Sequence, residues 1–441
     1  MHIKMKSFKI KTKYFLMDIL FGFWCLLLML FIPEDINYLP QIGYILVPLS
    51  LYMVYKARRN SNLMFLLLII ALVNISIGVN DFIKMGQEVS IWQLYRMRMT
   101  IYNLMTAKAL MIFNVTLNFF IIGQLCNEDL NFKGLHNVTK QRINCNIISI
   151  ACLFSLIAIL GYGIQNEIKN HIIGYYTSVE SPIFEYSILI YILGWLTCKD
   201  NKMLNLLFDV YALLFIIIFL VVGDRSSASM YIIFLFLSKY KGKLKFSNAL
   251  LITIGGIIFL NLISITRSQG IPSIEELLGQ IYEKGIYSDT ASWAYYSSIT
   301  VIAVGEAFNK PLDMFQGFVF SVFGLQSDYG SLQVFAKEYN SYLFQNSGGC
   351  IFPSYFVVWL GYFGAIIAGI IIGCLIQKLF KKVEGVYLYF KLLMMVFSIR
   401  WYVYTPTNLF RSVFFIGGLV YMLFILSSKL LVKRIPDGKS I

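Results

Sequence analysis

Histidine is almost missing from this chain of 441 residues: His2, His136 and His171 are the only three. The seven cysteines nowhere approach a histidine or one another with the spacing of a zinc site, so no metal is expected and no cofactor is implied. Charge is scarce as well. Lys, Arg, Asp and Glu make up 14% of the residues, against about 25% in a soluble domain. There is no internal repeat, no low-complexity tract and no segment that reads as a soluble domain.

What fills the chain is apolar. Hydrophobic residues reach 58% and aromatics 16%, with a mean hydropathy of +0.70. The apolar residues come in runs of roughly 17 to 25, long enough to span a bilayer as helices. The runs are 14–32, 40–56, 62–79, 109–125, 143–164, 182–197, 203–223, 227–238, 249–265, 352–377, 386–405 and 411–428. The expectation is an all-α, polytopic membrane protein with about twelve transmembrane helices. The first run follows Lys4, Lys6, Lys9, Lys11 and Lys13 and lacks a small-x-small cleavage site, so it reads as a retained signal anchor.

The 37 basic residues against 23 acidic ones give a formal net charge of +14, and their positions alternate with the spans. About 24 of the 37 fall in alternate loops, among them Lys56/Arg58/Arg59, Lys239/Lys241/Lys243/Lys245 and Lys378/Lys381/Lys382. Both termini are thereby expected in the cytoplasm. Basic residues divided among short loops form no nucleic-acid surface; they meet anionic lipid headgroups.

Most loops are short, but Thr266 to Ile351 makes one large external loop. Residues 1–265 would then hold nine spans, 266–351 the loop, and 352–441 the last three spans with a cytoplasmic tail. Within the loop, Ser273 and Glu276 form a capping box ahead of Leu277, Leu278 and Ile281, a surface-lying amphipathic helix. Ser292 to Phe323 is rich in Trp, Tyr and Phe, suited to a headgroup belt or to stacking on sugar rings. Asn80 to Lys108 reads as a second external, interfacial region.

Arginines on the external side are the exceptions to the charge rule. Arg225 sits in the short turn Gly223-Asp224-Arg225-Ser226, Arg267 follows the ninth span, Arg400 lies near the outer end of the eleventh and Arg411 opens the twelfth. A guanidinium presents a planar fork that suits phosphate oxygens, so these four are candidates to hold a pyrophosphate; snorkelling to headgroups is the alternative. Among external acids, Glu306 and Asp328 are candidates for a general base, and Asp224 either serves so or pairs with its arginine neighbour. Gly348-Gly349 permits close backbone approach or ends a loop.

The chain as a whole resembles the Wzy-type oligosaccharide repeat-unit polymerases in span number, cytoplasmic termini and a single large loop in the second half. Gly223-Asp224-Arg225-Ser226 is similar to the glycine-x-arginine turn of that family. Gly348-Gly349 with Tyr355, Gly361 and Gly364 is similar to its glycine-rich entry to the next span. Phe352-Pro353-Ser354 departs from the family, which often places an acid there. The resemblance implies a metal-independent glycosyltransferase of the bacterial inner membrane. It would join undecaprenyl-pyrophosphate-linked oligosaccharides on the periplasmic face into O-antigen or capsule, beside a flippase and a chain-length regulator. Arg225 and Arg267 would stabilise the departing pyrophosphate, helped by Arg400 and Arg411. A Wzx-like flippase and an O-antigen ligase share the architecture. The flippase fits a long loop poorly, and a ligase is expected to use a histidine that the loop lacks.

Overall fold

The computed structural model describes residues 35–84, 100–125, 145–164, 183–198, 201–222, 225–239, 289–325, 349–381 and 385–433 continuously, with scattered positions between 16 and 33 and between 245 and 279. Every element of length among them is helical. Six described helices are long and apolar enough to cross a membrane: Ser61–Ile83, Ile101–Ile121, Asn146–Gly163, Lys202–Leu220, Tyr362–Phe380 and Asn408–Ser427. Ile183–Thr197, Ser226–Lys239 and Gly385–Val396 are shorter apolar helices. The chain is a multi-pass membrane protein.

The helices divide into two compact units that interleave along the sequence. Unit 1 comprises Met1–Gly134, Gly242–Lys382 and Ser398–Asn408; unit 2 comprises Leu135–Lys241, Val383–Phe397 and Leu409–Ile441.

In unit 1, α1 (Leu39–Lys56) starts on Pro40, where a missing N–H costs nothing. Asn60 caps α2 (Ser61–Ser76), its side-chain oxygen accepting from the Leu63 amide at 3.1 Å. α2 then widens into a π-helical stretch, Ile77–Ile83. The cause is local: the Asn80 side chain donates to the Ser76 carbonyl at 3.0 Å, and the Lys84 amide reaches back to Val79. α3 (Thr100–Leu125) packs on α1 and on α11 (Tyr362–Lys381). α8 (Asp289–Phe308), α9 (Pro311–Val322) and α10 (Phe352–Leu360) complete the unit, with a π-helical stretch at Arg400–Tyr404.

Three boundaries differ from the sequence reading. The apolar run 352–377 is two helices, broken at Gly361, whose φ of +59° few side-chain-bearing residues adopt. Asn80 to Ile83 continues the helix from α2, and Thr100 to Lys108 belongs to α3, so both ends of the expected interfacial region are helical, while residues 85–99 lie outside the described residues. Ser292 to Phe323 is two helices, and α8 is buried along nearly its whole length. Glu276 and most of the amphipathic helix expected after Ser273 lie outside the described residues.

Unit 2 is built from α4 (Asn146–Gly163), α5 (Ile183–Thr197), α6 (Lys202–Val222), α7 (Arg225–Lys239), α12 (Gly385–Val396), and α13 (Gly417–Lys433), the last preceded by a π-helical stretch at Asn408–Ile416. Aromatic rings fill its core. Tyr191 meets Phe208, Tyr231 and Phe234 edge-on at 5.0 to 5.5 Å, and Phe215 stacks on Phe219 at 4.1 Å. Such contacts add about 0.5–1.5 kcal/mol each beyond the area they bury. Gly194 lets α5 approach Phe208 and Cys152 closely, for a Cβ there would fall 2.5 Å from the Phe208 ring.

Candidate functional site

The polar groups of unit 1 gather on α8. Ser292 and Tyr296 are four residues apart and so share one face of that helix. Both point at Asp81 in the π-helical stretch after α2: Ser292 Oγ donates to Asp81 Oδ2 at 2.8 Å and Tyr296 OH to Oδ1 at 2.9 Å. Asp81 is completely buried. Each oxygen of the buried acid thereby has a hydroxyl partner, so neither is left unsatisfied. One position away, Tyr295 OH donates to Asn103 Oδ1 at 3.1 Å and meets Phe82 edge-on. Further along, Ser298 Oγ accepts from the Ile351 amide at 2.8 Å.

A second set of polar residues lies on α3. Asn103, Asn114 and Asn118 are spaced by eleven and four residues, which puts them on one stripe. Asn74 Nδ2 donates to Asn114 Oδ1 at 2.8 Å, and Tyr402 OH donates to Asn74 Oδ1 at 2.5 Å. Lys56 Nζ donates to Asn118 Oδ1 at 3.1 Å and to its carbonyl at 3.3 Å. At about 1.5 Å per residue the stripe runs about 22 Å, most of the roughly 30 Å hydrocarbon thickness. All of these side chains are buried.

Of the residues selected from sequence, Glu306 is exposed on the last turn of α8, hydrogen-bonded to Tyr102 at the start of α3. Arg400 is half-buried at the head of its π-helical stretch, its guanidinium 4.8 Å from the centre of the Tyr404 ring. That stretch packs against α8 and α10. The Arg400 carbonyl accepts from Asn408 Nδ2 at 3.4 Å. Arg411 is half-buried in the π-helical stretch before α13. Arg225 is the first residue of α7. Asp224, Arg267 and Asp328 lie outside the described residues. Glu306 and Arg400 thus belong to unit 1, Arg225 and Arg411 to unit 2.

Gly349 has a specific task. With φ at +134° it lies against the π-helical backbone, and a Cβ would sit 2.5 Å from Tyr404 Cα. The next amide, Cys350, donates to the Tyr404 carbonyl at 2.7 Å. Of the two uses open to the glycine pair, close approach is the one Gly349 performs, toward the chain's own backbone. Gly364 does the same one turn into α11, against the Phe356 carbonyl.

Asp81 and the asparagine stripe were not among the residues singled out from sequence. The signal was available: Asn80-Asp81 sits flush with the end of an apolar run, and an ionisable residue at that depth points to a site by default. Among the described residues no three His, Cys, Asp or Glu side chains come together as a metal-binding set. The chain matches no known protein-family model, no curated protein and no solved structure.

Proposed function

We propose that the protein is a glycosyl-transferring polymerase that joins oligosaccharide units carried on undecaprenyl pyrophosphate, at the periplasmic face of a bacterial inner membrane. The observation that carries this reading is α8: a stretch of the large loop forms a buried, tyrosine- and serine-rich helix in unit 1 and ends in the exposed Glu306. That gives a multi-pass chain a fixed carboxylate at the edge of a packed core.

In the reaction, an acceptor sugar hydroxyl attacks the anomeric carbon of the donor glycan. The new carbon–oxygen bond forms as the bond to the pyrophosphate oxygen breaks. Glu306 takes the hydroxyl proton. Negative charge develops on the departing pyrophosphate, where guanidinium groups stabilise it; Arg225 and Arg267 are the first choices by resemblance, and Arg400 is the one whose stretch packs against α8. Asp328 and Asp224 are the further acids of the same reading. The reaction needs no metal and no cofactor. A flippase and a chain-length regulator act on the same lipid-linked glycans.

The test is deletion of the protein from its own strain, with complementation by wild type, Glu306→Gln, Arg225→Ala and Arg267→Ala, and gel separation of the surface polysaccharide. The expected deletion phenotype is a single repeat unit without a ladder, restored by wild type and not by variants made at normal levels. A flippase is the second reading, favoured by the buried polar stripe along α3, which would suit a translocation path. Loss of even the single unit on deletion would decide for it.

A further inference from the structure

The one cation of α12 sits among apolar residues and has nothing to hold. Lys391 is 1% exposed, and its Nζ makes no hydrogen bond among the described residues. A lysine ammonium carries three donors and no acceptor, so each of the three is left open. Of its neighbours one helical turn away on its own face, Leu388, Met394 and Met395 are buried and apolar, and Tyr387 is half-buried. The side chain is not snorkelling: its stem would span much of the way to the helix end, about 9 Å off at 1.5 Å per residue, yet it stays inside.

α5, α7 and α13 pack around α12 within unit 2. On the side of α13 away from Tyr421, which stacks on Tyr389 of α12, Leu419, Met422, Leu423 and Leu426 are exposed, an apolar face suited to lipid tails. The ligand chemistry that suits a buried amine with three open donors, in a unit that faces lipid, is an anion with several acceptor oxygens carried on an apolar chain. We propose that Lys391 is the phosphate-binding centre of unit 2 and takes the phosphate group of a lipid-borne phosphate monoester. The proposal stands whether the protein polymerises or transports glycans.

The experiment uses the full chain purified in a neutral maltoside detergent, with thermal unfolding followed by tryptophan fluorescence against farnesyl phosphate, farnesol and inorganic phosphate. Farnesyl phosphate should raise Tm saturably, while farnesol and inorganic phosphate at equal concentration should not. Lys391→Met should unfold no earlier than wild type but bind farnesyl phosphate about tenfold more weakly or worse, since a charge-assisted contact is lost. If Lys391→Met does not fold, Lys391→Gln carries the same readout. The proposal is overturned if wild type responds to no phosphate, or if the variant binds farnesyl phosphate as tightly as wild type. An equal response to inorganic phosphate overturns the lipid-borne part and assigns the site to free anion. Because binding is read without any polymer being made, failure here and failure of the polymerase reading are distinguishable.

Discussion

Two helices, α8 in unit 1 and α12 in unit 2, are both buried almost all round, and they treat their polar side chains in opposite ways. On α8, Ser292, Tyr295, Tyr296 and Ser298 each have a hydrogen-bond partner on a neighbouring element. On α12, the Tyr389 hydroxyl and the Lys391 amine are buried without one. The first pattern fixes a helix in place; polar groups there are part of the packing. The second holds polar groups at a cost that packing does not offset, which is what a site awaiting a ligand requires.

The sharpest way to break the comparison is Asp81→Ala. It strands the Ser292 and Tyr296 hydroxyls at once and should lower the stability of unit 1 by about 2–5 kcal/mol, read as a Tm drop in detergent. A change under about 0.5 kcal/mol would mean that α8 is not held by this carboxylate. Lys391→Met should act in the other direction. Replacing an unpartnered buried cation by an apolar side chain of similar length should stabilise the ligand-free protein by about 1–3 kcal/mol. A loss of stability instead would show that the amine already has a partner.

A matched pair sharpens the contrast further, because the same atom is removed from each helix. Tyr296→Phe leaves an Asp81 oxygen without its donor and should cost about 1–3 kcal/mol. Tyr389→Phe removes a hydroxyl that bonds nothing, and should stay within about 0.5 kcal/mol of wild type. Equal costs in the two melting curves would erase the distinction. Smallest of all is Glu306→Gln, which on an exposed helix end should stay within about 0.3 kcal/mol of wild type. Its effect on the polysaccharide ladder is then a statement about chemistry and not about folding.

Helix positions were legible in several apolar runs: those read at 40–56, 203–223 and 227–238 lie within one or two residues of α1, α6 and α7, though of these three only α6 is long and apolar enough by itself to cross a membrane. The break at Gly361 was not, since hydropathy is blind to a positive φ inside an unbroken apolar stretch. α8 escaped for a different reason. Its serines and tyrosines lower its hydropathy and make it look like an interfacial belt, and only their partners in the π-helical stretch after α2 and on α3, distant in sequence, make burial tolerable. Asp81 was hidden by the same fact, because its partners come more than two hundred residues later. Lys391 stood in plain view inside the run 386–405, where an ionisable residue was itself the signal.

The interleaving of the two units carries a consequence for how the chain is made. Tyr402 is synthesised 328 residues after the Asn74 to which it donates, a delay of roughly 15–65 s at about 5–20 residues per second. α12, which packs on α5, α7 and α13 in unit 2, emerges just before it. Neither unit can close until ribosome and insertion machinery have delivered almost everything from residue 383 to 408. During that wait the Asn74–Asn114 pair and the aromatic core of α5, α6 and α7 sit half-assembled in the bilayer, the stage at which a membrane chaperone or quality-control protease would meet the chain.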